Sequence, residues 1–166
     1  MLGYVLSGGR GEADQVLAGV VARLADMGWS LAGVVQINTD HADPGRACHM
    51  DLDVLQDRAR IRISQDLGAM SRGCRLDPSA LETAVGLVEA ALQGGPRLLV
   101  VNKFGKQEID GRGFRPVIGQ AMAAGVPVLT TVSQGNLEGF QAFAEGLGQA
   151  LPPDEGAVLD WVRRLG

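Results

Sequence analysis

The chain is predicted to fold as a three-layer α/β sandwich, with a mostly parallel sheet at its centre and a β-hairpin inserted into it. Two features carry this expectation. Apolar runs without polar alternation recur, as in Leu2–Leu6 and Arg97–Val101, and such runs suit strands buried on both faces of a parallel sheet. Between them lie segments with apolar residues at helical spacing, so that strands alternate with helices.

The first strand, Leu2–Leu6, ends in Ser7-Gly8-Gly9-Arg10-Gly11. Residues 12–27 then place Val16, Leu17, Val20, Val21, Leu24 and Met27 on one helical face, and Gly28 ends the helix. Leu31–Gln36 is a second buried strand, which completes a βαβ unit. After a polar loop the texture changes. Met50, Leu52 and Val54 alternate with Asp51 and Asp53, and Ala59, Ile61 and Ile63 alternate with Arg58, Arg60 and Arg62. Period two with a turn near Gln56-Asp57 predicts an antiparallel hairpin, with aspartates opposite arginines on a solvated face.

Asp77-Pro78 is a helix start, with Asp as cap and Pro in the first turn. Leu81, Val85, Val88 and Leu92 share one face before Gly94-Gly95. Arg97–Val101 is the third buried strand, a helix is expected from about Phe114 to Ala124, and Val126–Val132 is a further strand. Two terminal helices are expected, near 136–149 and 155–165. There is no linker, repeat or low-complexity segment, so one domain is expected over residues 1–166.

Composition removes several function classes. Charged residues make up 20% with a net charge of -4, without the basic excess of nucleic-acid binders, and aromatics at 4% leave little for base stacking. The amino terminus has no basic segment of the signal-peptide kind, and no apolar stretch reaches the roughly 20 residues that span a bilayer. Cys48 and Cys74 are too few for a disulfide framework and are expected to be free thiols in the cytoplasm. Together with His41 and His49 they match no zinc spacing, so no metal is expected there.

In open parallel sheets ligands bind at the carboxyl edge. That rule selects Ser7–Glu12, Gln36–His41, Ser64–Arg75, Asn102–Glu108 and Thr130–Asn136. In the first, Ser7, Gly8, Gly9, Arg10 and Gly11 form a glycine turn between strand and helix, which offers backbone N–H groups and a helix dipole to an anion. The full phosphate-loop pattern G-x-x-x-x-G-K-[ST] fails: counted from Gly8, its last three positions read Ala13-Asp14-Gln15. The lysine for the phosphates and the hydroxyl for magnesium are both missing. Arg72, Cys74 and Arg75 lead into the Asp77 helix and could clamp an oxyanion. Asn102, Lys103, Lys106 and Glu108 follow the third buried strand, where an NTPase carries its magnesium-organising acid. Glu108 could orient a water or pair with a nearby lysine.

Three stretches, GYVLSGGRGEADQVLAGVVARLADMGWSLAGVVQ, RIRISQDLGAMSRGCRLDPSAL and LLVVNKFGKQEIDGRGFRPVIGQAMAAGVPVLTTV, resemble an uncharacterised bacterial domain-of-unknown-function family. The pairing of SRGCRLD with NKFGKQE is its distinctive part. The family often accompanies molybdate-transport genes, so the resemblance implies a role in molybdenum handling or its regulation. More distantly, the layout is similar to the small P-loop nucleoside triphosphatases of the thermophilic type, which implies a P-loop-NTPase-like sheet. Gly105, Lys106 and Glu108 fall on that group's Asp-Glu-x-Gly-Lys-x-Glu segment. Asn102 and Lys103 replace its acidic pair, and its phosphate-loop lysine has no counterpart here.

These readings point to a degenerate P-loop scaffold that binds an anion, either a phosphate group or an oxyanion such as molybdate, with little or no hydrolysis. Two alternatives stand beside it. One is a nucleoside triphosphatase that uses Lys103 or Lys106 in place of the missing lysine, with Glu108 positioning the attacking water. The other is a protein-interaction module with a vestigial pocket. No particular cofactor is implied.

Overall fold

Unalternated apolar runs do become the central strands. The computed structural model describes residues 1–8, 11–39, 49–65 and 75–166, and its seven strands form one sheet. They are β1 (Leu2–Ser7), β2 (Leu31–Thr39), β3 (His49–Val54), β4 (Ala59–Arg62), β5 (Leu98–Phe104), β6 (Val128–Ser133) and β7 (Gly148–Leu151). Their order across the sheet is β4-β3-β2-β5-β6-β1-β7. The β2-β5-β6-β1-β7 block is parallel, while β3 and β4 extend the β2 edge antiparallel. The expected hairpin therefore widens the same sheet. Its register sets Asp51 opposite Arg62 and Asp53 opposite Arg60, and both pairs close ion contacts, at 3.0 and 2.7 Å.

The helices are α1 (Glu12–Asp26), α2 (Pro78–Leu92), the short α3 (Lys106–Ile109), α4 (Arg115–Ala123), α5 (Leu137–Ala144) and α6 (Glu155–Arg164). Apolar residues at helical spacing divide them between the two faces of the sheet. Leu17, Val20 and Leu24 of α1 pack with Val158, Trp161 and Val162 of α6 against Val5, Val100 and Leu129. On the other face Val85 and Val88 of α2, Val117 and Ile118 of α4 and Phe140 of α5 cover Val34, Val101 and Val132. Each cluster is apolar, and truncating one of these side chains to Ala should cost about 2–5 kcal/mol. This is the three-layer sandwich that the alternation predicts.

Several boundaries differ from expectation. The helix expected over 136–149 stops at Ala144, where Glu145 adopts a left-handed conformation (φ 48°), and Gly148–Leu151 becomes an edge strand parallel to β1. Pro152-Pro153 explains the end of that strand, since proline has no N–H to continue the ladder. Strand β6 begins at Val128 and not at Val126. Strand β5 runs three residues beyond Val101, and from Val101 to Phe104 it takes three residue steps against two on β6 (Thr130 to Val132). That mismatch is a β-bulge at Asn102-Lys103, which re-aims the side chains at the strand end. The polarity of these two residues hid the continuation. The cysteine expectations lie outside the described residues, because Cys48 and Cys74 do.

Candidate functional site

Parallel strands bring their carboxyl ends to one edge, and the strand order decides which loops are neighbours there. Strand β6 separates β1 from β5, so the glycine turn after β1 and the Asn102–Glu108 segment after β5 lie two strand spacings apart, about 10 Å. Ser7 is half-buried and pairs in register with Ser133 of β6. Gly8 is exposed. Gly11 is the N-cap of α1 with φ 75°, a left-handed position that glycine adopts freely, and no side chain caps the helix there. Glu12 and Asp14 lie in that first turn. Gly9, Arg10, Arg72 and Cys74 lie outside the described residues. Arg75 is exposed, and its carbonyl accepts the Gln65 N–H at 2.7 Å beside the Ser64–Leu76 bridge.

A pocket of about 400 Å³ opens over the ends of β2 and β5, between the start of α2 and the α3 segment. Met50, Leu52, Ile63, Leu76, Leu81 and Phe114 supply its apolar wall. Gln36, Asn102, Lys103, Lys106, Gln107, Glu108 and Asn136 supply its polar lining, with the Gly105 backbone beside them. Four of the sequence-predicted residues thus meet here: Asn102, Lys103, Lys106 and Glu108. Ser7, Gly8, Gly11 and Arg75 do not line it. The link between the pocket and the glycine turn is Asn136, which donates through Nδ2 to Ser133 Oγ at 3.0 Å, and Ser133 is the register partner of Ser7.

Asn102 is 1% exposed. Its Oδ1 accepts the Thr131 hydroxyl at 3.0 Å, while its Nδ2 has no hydrogen-bond partner. A buried amide left in that state costs about 1–3 kcal/mol, so this N–H group is poised for an acceptor. Lys103 and Lys106 are exposed and form no ion pair among the described residues.

Glu108 is buried, and its contacts are to the backbone and not to a lysine. Its Oε2 accepts the Gly105 N–H at 2.9 Å and its Oε1 accepts the Phe114 N–H at 3.3 Å. As the third residue of α3 it reaches back to the N-cap, half of a capping box. No lysine comes within ion-pairing distance. Burial pushes its carboxyl above the usual range, opposed by the backbone N–H groups of Gly105, Glu108 and Phe114 and by the charge of Lys103. Arg115 fixes the far end of the same turn, donating to the carbonyls of Glu108 and Ile109 at 3.3 and 3.1 Å.

P-loop triphosphatases place a magnesium ion near this strand end, and the residues here do not suit one. Asn102 presents a donor N–H where an anionic oxygen would ligate, Lys103 adds positive charge, and both Glu108 oxygens are engaged by the backbone. Among the described residues no group of three His, Cys, Asp or Glu side chains could hold a metal ion.

A family model described as "Protein of unknown function (DUF2478)" matches residues 2–161. The chain belongs to that family. It is 34% identical over 152 residues to "Molybdenum import ATP-binding protein ModC 2" of Bradyrhizobium diazoefficiens, a match that covers 92% of this chain but 17% of that much longer protein. Among solved structures it resembles the solution structure of a human cancer-related nucleoside triphosphatase, with a TM-score of 0.61 and 13% identity. That likeness covers 99% of this chain and 94% of the other, and it shows a shared P-loop NTPase-like fold. At 13% identity that likeness is one of fold. None of its described helices is long and apolar enough to cross a membrane.

The apolar pocket wall was not legible as a site. Leu81 reads as helix core and Leu52 as hairpin core, because lining a pocket and filling a core require the same side chains. Gln36 and Asn136 fall within the carboxyl-edge segments, but nothing in their spacing singles them out.

Proposed function

We propose that this DUF2478 chain binds a phosphate group or another tetrahedral oxyanion, molybdate among them, at the carboxyl edge of its sheet. Protein cations and N–H donors, not magnesium, make the contact. One observation carries the reading: at the end of β5 an Asn102 N–H that lacks a partner among the described residues shares a pocket with Lys103 and Lys106, which form no ion pair among those residues. That is an anion-attracting set at the place where a triphosphatase gathers acids. The uncapped start of α1 at Gly11 adds backbone donors across β6.

Molybdenum handling in the cytoplasm is the biological setting we favour, supported by the resemblance to a protein named for molybdenum import. Matching 17% of that protein also favours a module that works beside, or joined to, a transporter ATPase. Hydrolysis is expected to be weak or absent, since no side chain here organises magnesium or frees a carboxylate for water.

A second reading keeps catalysis: Lys103 or Lys106 would replace the phosphate-loop lysine. Their lack of ion-pair partners among the described residues favours it. Calorimetric titration with molybdate, sulfate and ADP, together with a hydrolysis assay on ATP and GTP, separates the two. Anion binding without turnover supports the first reading, turnover supports the second, and no heat from any of them rejects both.

A further inference from the structure

The pocket over β2 and β5 is larger than a bare oxyanion at its lysines would occupy. A tetrahedral ion held by Lys103 and Lys106 could not fill about 400 Å³ or meet the apolar side of the lining, where Leu76 is partly exposed. That volume lies within the range of about 300–1,000 Å³ typical of organic ligands. An alkyl chain fits no better, because the carboxamides of Gln36 and Asn102 lie in the lining and the Asn102 Nδ2 would stay unpaired. The complementary ligand has a compact ring with hydrogen-bonding edges and an anionic group on one side.

We infer that this pocket holds a phosphorylated heterocycle of the nucleoside-monophosphate class. Its base lies against the apolar wall, with a ring acceptor on Asn102 Nδ2, and its phosphate lies on Lys103 and Lys106. Asparagine and glutamine amides suit base edges because each offers a donor and an acceptor side by side. Gln36 Nε2 already donates to Asn38 Oδ1 at 2.9 Å, which fixes the orientation of its amide. The low phosphate count follows from the charge balance. A triphosphate is normally carried with magnesium, and the donor set at this strand end does not suit that ion. One phosphate can be matched by two lysines alone.

This inference rests on the phosphate-binding reading above, and the test separates the two. The intact chain is titrated calorimetrically with AMP, GMP, adenosine and inorganic phosphate, and Leu76→Ala and Lys106→Ala are measured alongside. Leu76 is a partly buried wall residue whose bridge to Ser64 is made by the backbone, so truncation spares the fold, and circular dichroism verifies this. The expected result is that AMP or GMP binds at least about tenfold tighter than inorganic phosphate. Leu76→Ala should weaken the nucleotide by about tenfold and leave phosphate unchanged, while Lys106→Ala weakens both. If phosphate binds as tightly as AMP and GMP and Leu76→Ala alters none of them, the inference is overturned while phosphate binding stands. If adenosine equals AMP, or nothing binds, both fail.

Discussion

Glu108 and Gly113 are fitted to each other: a Cβ on Gly113 would lie 2.5 Å from Glu108 Oε1, and Gly113 has a φ of +58°. The absence of a side chain at Gly113 is what lets the buried carboxylate reach the Phe114 N–H while also holding Gly105. One clamp thereby fixes the turn that carries Lys106, and the turn fixes the pocket.

Gly113→Ala should therefore destabilise the chain by about 1–3 kcal/mol, through the left-handed backbone and the collision together. Denaturant unfolding measures this directly. Unchanged stability would mean that the clamp is not rigid.

Glu108 also sets a pH dependence. Burial raises its folded pKa above the unfolded value, so the folded chain holds that proton more tightly. Its support for folding is complete below the ordinary glutamate pKa and is lost as pH rises through the folded pKa. The stability gap between the parent chain and Glu108→Gln should shrink as pH rises above the ordinary glutamate pKa of about 4.3. A constant gap would show that this carboxyl does not titrate abnormally.

Much of the fold was legible because its determinants are local. Asp77 caps α2 through Ser79 and Ala80 N–H groups, as its position before Pro78 suggests. The Asp/Arg alternation of the hairpin fixes its register. What escaped notice depends on neighbours far along the chain. The β5 bulge exists only against β6, and β7 pairs only because β1 offers a free edge. Glu108 was noticed for its charge, but its backbone partners depend on a turn whose path one sequence does not reveal. Asn102 was read as a poor magnesium ligand, and the structure adds that its free amide hydrogens lack any acceptor.

Turnover of ATP or GTP should stay below about 1 per second, the lower end of the usual kinase range. Loss of the phosphate-loop lysine and the neutral strand end are the causes. A purified chain that exceeds this rate, and loses it on Lys103→Ala or Lys106→Ala without unfolding, would establish the catalytic reading.

Arg60→Ala is the control for charge removal. Arg60 is bound bidentately by Asp53 at 2.7 and 3.2 Å on the solvated hairpin face, away from the pocket lining. Its loss should leave anion affinity unchanged and stability little altered. A drop in affinity would mean that general electrostatics, not the β5 end, attracts the anion.

The central claim is that phosphate is held by cations and N–H donors of the chain, without magnesium. The decisive measurement is calorimetric affinity for AMP, with magnesium and with chelator, in the parent chain, Lys106→Ala and Arg75→Ala. The account predicts equal affinity with and without the metal. It predicts losses of about ten- to a hundredfold for Lys106→Ala, the scale of one charge-assisted hydrogen bond. Arg75→Ala, outside the pocket lining, should weaken binding less. Affinity that vanishes with chelator, or survives Lys106→Ala intact, would contradict it.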